Sequence, residues 1–486
     1  MQRITPNVRH ALYSAAATRT REQLAAATLP PHTLMRRAGL AIAQLAQALH
    51  PHARTIWIAC GPGNNGGDGI EAAIHLLQRG YQPQVTWLGQ PNTVPPDTQT
   101  SWERAIQAGV MFSATRPDHA DLCIDALLGI GSTRAPEGQM GDWVRHMNGV
   151  TAPILAVDIP TGLHTDTGKA APYCVQAHNT LSLLTLKPGL FTSQGRDSAG
   201  QVWLDDLGFS AHDTDATAFL GGTPIPQPSI AHASHKGMRG DVAVIGGVPG
   251  MTGAALLAAS AALHAGAGRV MVSLLNTAAL DVNALQPELM MRPFNTLALD
   301  TLTVACGCGG GTAIADVVSE VLQRVPRLVL DADALNSISA NPALKTLLRS
   351  RAPYRQTVLT PHPLEAARLL GCTTAMIQAD RLDAAQQLAD SMACTVVLKG
   401  SGTVIASLGQ KPIVNPTGNG LLATGGTGDV LAGLLAARLA GGASEFEAAC
   451  SAAYHHGELA DRWPQDRALT AGRLACALNF ARPSNT

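Results

Sequence analysis

Ala423-Thr424-Gly425-Gly426-Thr427-Gly428-Asp429-Val430-Leu431-Ala432-Gly433 is the stretch that decides how this chain is read. Gly425, Gly426 and Gly428 run straight into an apolar segment, Val430 to Ala440, interrupted only by Gly433 and Arg438. The pattern predicts a tight loop opening into a buried helix. The three loop glycines are free to take backbone angles that a Cβ forbids. Amide N–H groups would then gather at the positive end of a helix, where a phosphate can sit. Asp429 needs a separate reason, because a carboxylate repels a phosphate. Taking a proton from an attacking hydroxyl is such a reason. The plainer alternative is a helix start capped by Thr427, with Asp429 matched to the helix dipole.

Outward from that stretch, 486 residues are too many for one ordinary core, so about two or three domains are expected. A formal net charge of −1 argues against nucleic acid or an anionic membrane as partner. Hydrophobic residues at 46% against 14% charged describe a well-buried globular chain rather than a disordered one. Nine cysteines without paired spacing suggest reduced thiols and a cytoplasmic protein. The longest apolar stretch, Gly253 to Gly268, carries Ser260 and His264 and is too short for a membrane span, so a core helix is expected. Arg3, Arg9, Arg19 and Arg21 precede the first acid, Glu22, as in a mitochondrial presequence. Ala11 to Ala27 is read instead as the ordinary first helix of the fold.

In the first half, the strand-length run Thr55 to Cys60 leads into Gly61-Pro62-Gly63-Asn64-Asn65-Gly66-Gly67-Asp68-Gly69 and then into helical periodicity. Strand, glycine-rich loop and helix form the nucleotide-binding arrangement of a doubly wound sheet. Asn64, Asn65 and Asp68 add side-chain oxygens that a plain phosphate loop does not need, which suits a hard cation. Further strand-and-loop units run through Gln84 to Leu88, Asp121 to Gly131 and Pro153 to Gly162. Asn65, Asp125, Asp158 and Thr161 all fall beyond the carboxyl ends of these strands, where such sheets bind ligands.

These segments, with Leu186-Lys187-Pro188-Gly189-Leu190, resemble the NAD(P)H-hydrate epimerase family, the YjeF N-terminal domain, from about residue 12 to about 207. The resemblance implies that Asn64, Asn65, Gly66, Gly67 and Asp68 line a hydrated dinucleotide. Gly129, Ile130, Gly131, Ser132, Thr133, Arg134 and Ala135 would line it too. Asp158 would contact the altered nicotinamide ring and is the candidate acid/base, while Asn65, Asp125 and Thr161 would hold a potassium ion. Thr161 stands where serine is usual, and Arg36 where an acid is common.

Residues 210–234 lose periodicity and gain Ser, Thr, Pro, His and Asp, so they are expected to be a linker or a segment lying over a surface. They divide the chain into domains at 1–209 and 235–486. In the second part, strands are expected at Asp241 to Gly247, Arg269 to Leu274, Leu328 to Leu330, Val358 to Thr360 and Thr395 to Ile405. Each ends on glycine or polar groups. His235-Lys236-Gly237, Leu330-Asp331-Ala332-Asp333, Thr360-Pro361-His362-Pro363-Leu364-Glu365 and Lys399-Gly400-Ser401-Gly402-Thr403, with the opening stretch, resemble the ADP-dependent NAD(P)H-hydrate dehydratase family of the ribokinase-like fold.

The implied fold class is therefore α/β in two domains, an N-terminal Rossmann-like doubly wound sheet and a C-terminal ribokinase-like α/β sandwich. Lys399, Gly400, Ser401, Gly402, Thr403 and Gly428 would hold the adenine nucleotide. Ala254, Gly309, His362 and Asp429 would face the hydrated cofactor, with Asp429 as catalytic base. The turn that usually reads Gly-Pro-Gly-Leu-Gly is here Gly307-Cys308-Gly309-Gly310-Gly311. His362 could equally be a helix cap before Pro363 and Glu365. The two resemblances together imply repair of hydrated NADH and NADPH, with ADP as co-substrate, K⁺ in the first domain and Mg²⁺ in the second. A homo-oligomer is the expected assembly. Two rivals stay open: a small-molecule kinase using the same GTGD machinery, and a non-catalytic binding module in the first half.

Overall fold

The computed structural model describes residues 1–132, 134–209, 213–225, 231–275 and 281–478. The chain divides into two compact units, Met1–Leu220 and Gly221–Thr486. No helix among the described residues is long and apolar enough to cross a membrane.

The sheet of the first unit runs Gln2–Arg3, Gln201–Asp205, Asn179–Leu183, Ile154–Val157, Leu122–Ala126, Thr55–Cys60, Gln82–Trp87, Met111–Ser113. Apart from the first, neighbouring strands are parallel. Leu122–Ala126 and Ile154–Val157 are buried at every residue. Continuous rather than alternating burial is the mark of a parallel sheet covered on both faces. Ile42, Leu45, Ile58, Ile70 and Leu76 pack on one face. On the other, Trp57 meets the edge of Trp143 at 6.3 Å between centroids. Each such side chain contributes roughly 1.5–3 kcal/mol on burial.

Strand order reverses between Thr55–Cys60 and Leu122–Ala126. Gly61 N–H donates to the Ala126 carbonyl at 3.0 Å, and a Cβ on Gly61 would lie 1.8 Å from the Leu127 oxygen. The chain thus leaves both strands in close backbone contact, and the first candidate site opens there.

Two expectations are revised in this unit. The first helix covers Ala15–Ala27 and begins where Ser14 Oγ accepts the Ala17 N–H at 3.2 Å. The residues before it, His10–Leu12, form a strand antiparallel to Ala218–Leu220. That partner lies within the stretch expected to lack regular structure; residues 210–212 and 226–230 of the stretch lie outside the described residues. Three apolar residues, Ala218 to Leu220, are enough to close the pairing, and all three are buried.

The second unit orders its strands Met290–Met291, Arg269–Leu274, Asp241–Gly246, Thr303–Cys306, Arg327–Leu330, Gln356–Leu359, Thr395–Leu398, Val404–Ala406, Ile413–Val414. They are parallel up to Thr395–Leu398 and antiparallel after it. The order reverses between Asp241–Gly246 and Thr303–Cys306. Helix Thr427–Ala440 packs on Thr252–His264, the helix expected from Gly253 to Gly268. A Cβ on Gly433 would lie 1.9 Å from the Ala258 oxygen, so this crossing requires glycine. Both sheet and helices agree with the expected two-domain α/β class.

Candidate functional site

In the first unit, the expected long loop is short. Helix Asn64–Gln78 starts at once after Gly63, so Asn64 to Asp68 are its first turns. A Cβ on Gly66 would lie 2.0 Å from the Gly61 oxygen, and one on Gly67 2.7 Å from Met35. Gly66 lets the helix start lie against its own approach, and Gly67 lets it lie against Met35 of helix Thr33–Leu49. Asn64, Asn65 and Asp68 line a cavity of about 720 Å³ together with Gly129 to Ser132, Arg134 and Asp158. Gly66, Gly67 and Ala135 are not among its lining residues, and Thr133 lies outside the described residues.

Asp158 follows the strand Ile154–Val157 with φ of 67°, a left-handed backbone that few non-glycine residues adopt. Its N–H donates to the Leu181 carbonyl at 2.7 Å, and its carboxylate accepts the Leu183 N–H at 3.2 Å. The same carboxylate is ion-paired to Lys187, whose ammonium is fully buried and also donates to the Leu183 carbonyl at 2.8 Å. Lys187 sits in the quoted Leu186 to Leu190 segment, where motif reading gives it no role of its own. Glu22 and Asp68 join Asp158 on the cavity wall. Burial and the neighbouring Asp158 charge raise both carboxyls above the usual range, Asp68 by far the more. Acidic groups whose protons are held this way are suited to proton transfer near neutral pH.

Asp125 is fully buried behind that wall. It accepts from the Thr161 hydroxyl at 2.7 Å, the Thr161 N–H at 2.8 Å and the Leu127 N–H at 3.3 Å. Burial pushes its pKa up to about 6 despite those bonds. No cationic side chain pairs with it among the described residues. The amide of Asn65 is buried against Gly129, and its Nδ2 lacks a partner. An unpaired buried carboxylate, a hydroxyl and a carboxamide are a hard-oxygen set that suits an alkali cation.

In the second unit, Gly426 alone of the three loop glycines takes a left-handed backbone, φ 90°. Thr427 does not cap the helix. Its hydroxyl turns back to the carbonyls of Leu422 at 2.8 Å and Thr424 at 2.9 Å. Among the described residues the amides of Gly428 and Asp429 have no partner: Thr427 N–H donates to the Thr424 carbonyl at 3.4 Å, and the next bond is Val430 N–H to the Gly426 carbonyl at 3.2 Å. An uncapped helix start with free amides is an anion cradle. Asp429 is half-buried beside it. Burial first, then the Asp331 charge, push its pKa up to about 6.

Lys399 reaches the same place from the end of Thr395–Leu398: a Cβ on Gly428 would lie 3.4 Å from its Nζ. It pairs with buried Asp331 at 2.7 Å, which also accepts from the Thr360 hydroxyl at 2.8 Å. Arg381, buried on a helix of its own, donates to the carbonyls of Leu398 and Lys399 at 3.2 and 3.1 Å and holds the Lys399-to-Thr403 loop. Asp331 and Arg381 were not singled out by sequence reasoning. The quoted Leu330 to Asp333 segment carried the first; a lone helix arginine carries no signal for the second.

Gly309, with φ of 61°, packs against Ala254: its Cβ would lie 2.9 Å from the Ala254 methyl. His362 is a helix cap, with Nδ1 accepting from the Leu364 and Glu365 N–H groups at 3.1 and 3.4 Å. Its other nitrogen contacts Glu365, and the ring is 47% exposed, free to meet a ligand as well. The donor atoms of Cys308, Asp331 and Asp429 lie within 4.8 Å of one another. With a soft thiol present and Asp331 already held by Lys399, this cluster is unsuited to a hard cation such as Mg²⁺.

Comparison with known proteins matches residues 31–189 to the YjeF-related protein N-terminus and residues 242–481 to NAD(P)H-hydrate dehydratase. The bifunctional NAD(P)H-hydrate repair enzyme of Escherichia coli is 35% identical over 490 residues, covering 95% of this chain and 91% of that protein. The corresponding enzyme of Moorella thermoacetica is 35% identical, covering 92% and 91%. Among solved structures, the ADP/ATP-dependent NAD(P)H-hydrate dehydratase of Bacillus subtilis is 30% identical, covering 51% of this chain and 91% of that one, with a TM-score of 0.44. The matches run through both units, which neither a lone kinase nor a binding module explains. This chain belongs to the family of bifunctional NAD(P)H-hydrate repair enzymes.

Proposed function

We propose that the chain repairs hydrated NADH and NADPH. Its first unit interconverts the R and S forms, and its second dehydrates the S form at the expense of ADP, releasing AMP and phosphate. The observation that carries the second half is the pair of unbonded amides at Gly428 and Asp429, set beside a carboxylate that titrates near neutrality. Asp429 takes the proton of the hydroxyl on ring carbon C6. The oxygen attacks the terminal phosphoryl of ADP, the bond to the α-phosphate breaks, and AMP leaves. Loop amides and Lys399 steady the transferred charge. The ring nitrogen then expels phosphate, and loss of a proton from C5 restores the dihydronicotinamide. Mg²⁺ would arrive with the nucleotide and balance the charge of its phosphates.

In the first unit, C6 carries both the hydroxyl and the ring nitrogen. Protonating the hydroxyl releases water as the nitrogen lone pair forms a double bond to C6. Water returning to the opposite face and giving back its proton leaves the other epimer. Asp158, oriented by Lys187, is the acid/base, and Asp68, whose carboxyl burial and neighbouring acids raise above the usual range, lies beside it on the cavity wall. Asn65, Asp125 and Thr161 would hold a potassium ion that balances the Asp125 charge. The free state of all nine cysteines supports a cytoplasmic location.

Phosphorus NMR of a reaction with the S form and ADP tests the second half. AMP and inorganic phosphate should appear in equal amounts with NADH. A stable phosphorylated product instead would restore the kinase reading.

A further inference from the structure

Cys308 stands at the reversal point of the second sheet, on the turn after Thr303–Cys306, and is fully buried. Its position is fixed by backbone: its carbonyl accepts the Gly247 N–H at 3.0 Å, and a Cβ on Gly246 would lie 2.2 Å from that oxygen. The thiol is therefore held in the group it forms with the Asp331 and Asp429 carboxylates, all within 4.8 Å. Asp331 is already engaged by Lys399 and Thr360. The Asp429 carboxylate, in the same group, is the other acceptor within reach of the thiol.

We propose that Cys308 is a positioning residue for dehydration: its S–H donates to one oxygen of Asp429 and steers the other toward the substrate hydroxyl. The thiol is a reliable donor because burial and the carboxylates of Asp331 and Asp429 hold its proton well above the usual range. A donor to a carboxylate favours the ionised form, the form a base needs. Asp331 and Asp333 oppose it, and Lys399 assists. His456, from helix Glu445–Asp461, donates to the Thr427 carbonyl at 2.9 Å; burial lowers its pKa to about 4, so it stays neutral.

This inference rests on Asp429 being the base, and the test separates the two. The pH dependence of ADP-dependent NADH recovery is measured for the full chain, Cys308→Ala, Cys308→Ser and Asp429→Asn. Loss of one hydrogen bond should move the acid limb of Cys308→Ala up by about half to one pH unit, with KM for ADP unchanged. Cys308→Ser, a stronger donor, should move it down, which keeps the test usable if the alanine variant folds poorly. An unshifted limb in either cysteine variant, with Asp429→Asn inactive, overturns the role of Cys308 alone. Activity retained in Asp429→Asn overturns the base itself.

Discussion

In the first unit the carboxylates at the sheet's reversal are already engaged by the protein, while the buried Asn65 Nδ2 is not. Asp125 is fully buried under three hydrogen bonds, and Asp158 is tied to a lysine with no exposure at all. In the second unit the corresponding place is open. Gly425 has nothing within 4 Å of where a Cβ would be, and the amides of Gly428 and Asp429 wait for a partner. The contrast follows from the chemistry. Interconverting epimers asks for proton donors and acceptors held at fixed poise inside a preformed cavity. Moving a phosphoryl group asks for donors that become satisfied only when charge arrives. One strand order thus carries two electrostatic strategies.

The contrast breaks most sharply at Asp429. Asp429→Ala should lower ADP-dependent turnover by about a hundredfold or more, leaving ADP binding and epimerisation intact. Near-normal turnover would remove it as base. The same group sets the pH response: the base must be ionised, so turnover should rise through about pH 6 and level off above it. A rate that falls over that range would contradict the assignment.

Lys187 tests the engaged side. Lys187→Met leaves Asp158 buried without its partner, which costs about 3–5 kcal/mol. Thermal melting should register that loss in the first unit while dehydration of the S form persists. Adding Asp158→Asn should return stability without returning epimerisation. If the double variant epimerises normally, the pair is structural only.

Smaller effects sharpen the picture. Gly433→Ala forces helix Thr427–Ala440 off Ala258 and should destabilise the second unit by about 1–3 kcal/mol in denaturant titration. Exchanging K⁺ for a bulky organic cation should slow epimerisation several-fold, and Asp125→Asn should blunt that response. Epimerisation indifferent to both changes would remove the cation site.

Strand ends were legible because parallel strands buried on both faces read as unbroken apolar runs. Thr55–Cys60 and Arg269–Leu274 fall where the sequence puts them. Asp125 and Thr161 come from separate strand-and-loop segments of the first unit and do meet, at 2.7 Å. What sequence could not convey is which groups spend their hydrogen bonds locally. Thr427 looked like a cap because threonine caps helices well, but its hydroxyl turns back to the loop. Ala11 and Leu12 read as the start of a helix because the partner of strand His10–Leu12 lies about two hundred residues on. Lys187 stayed a motif letter because its meaning is a contact with Asp158, 29 residues earlier. Cys308 entered only as a departure from pattern; its neighbours come together through the sheet reversal.

The most direct test of two complementary sites in one chain is a mixture of both epimers of hydrated NADH, followed by NADH absorbance in the presence of ADP. Recovery of the whole mixture is predicted, because the first unit feeds the second. Recovery that halts with one epimer left over would contradict a catalytic first unit, and no recovery would contradict the account as a whole.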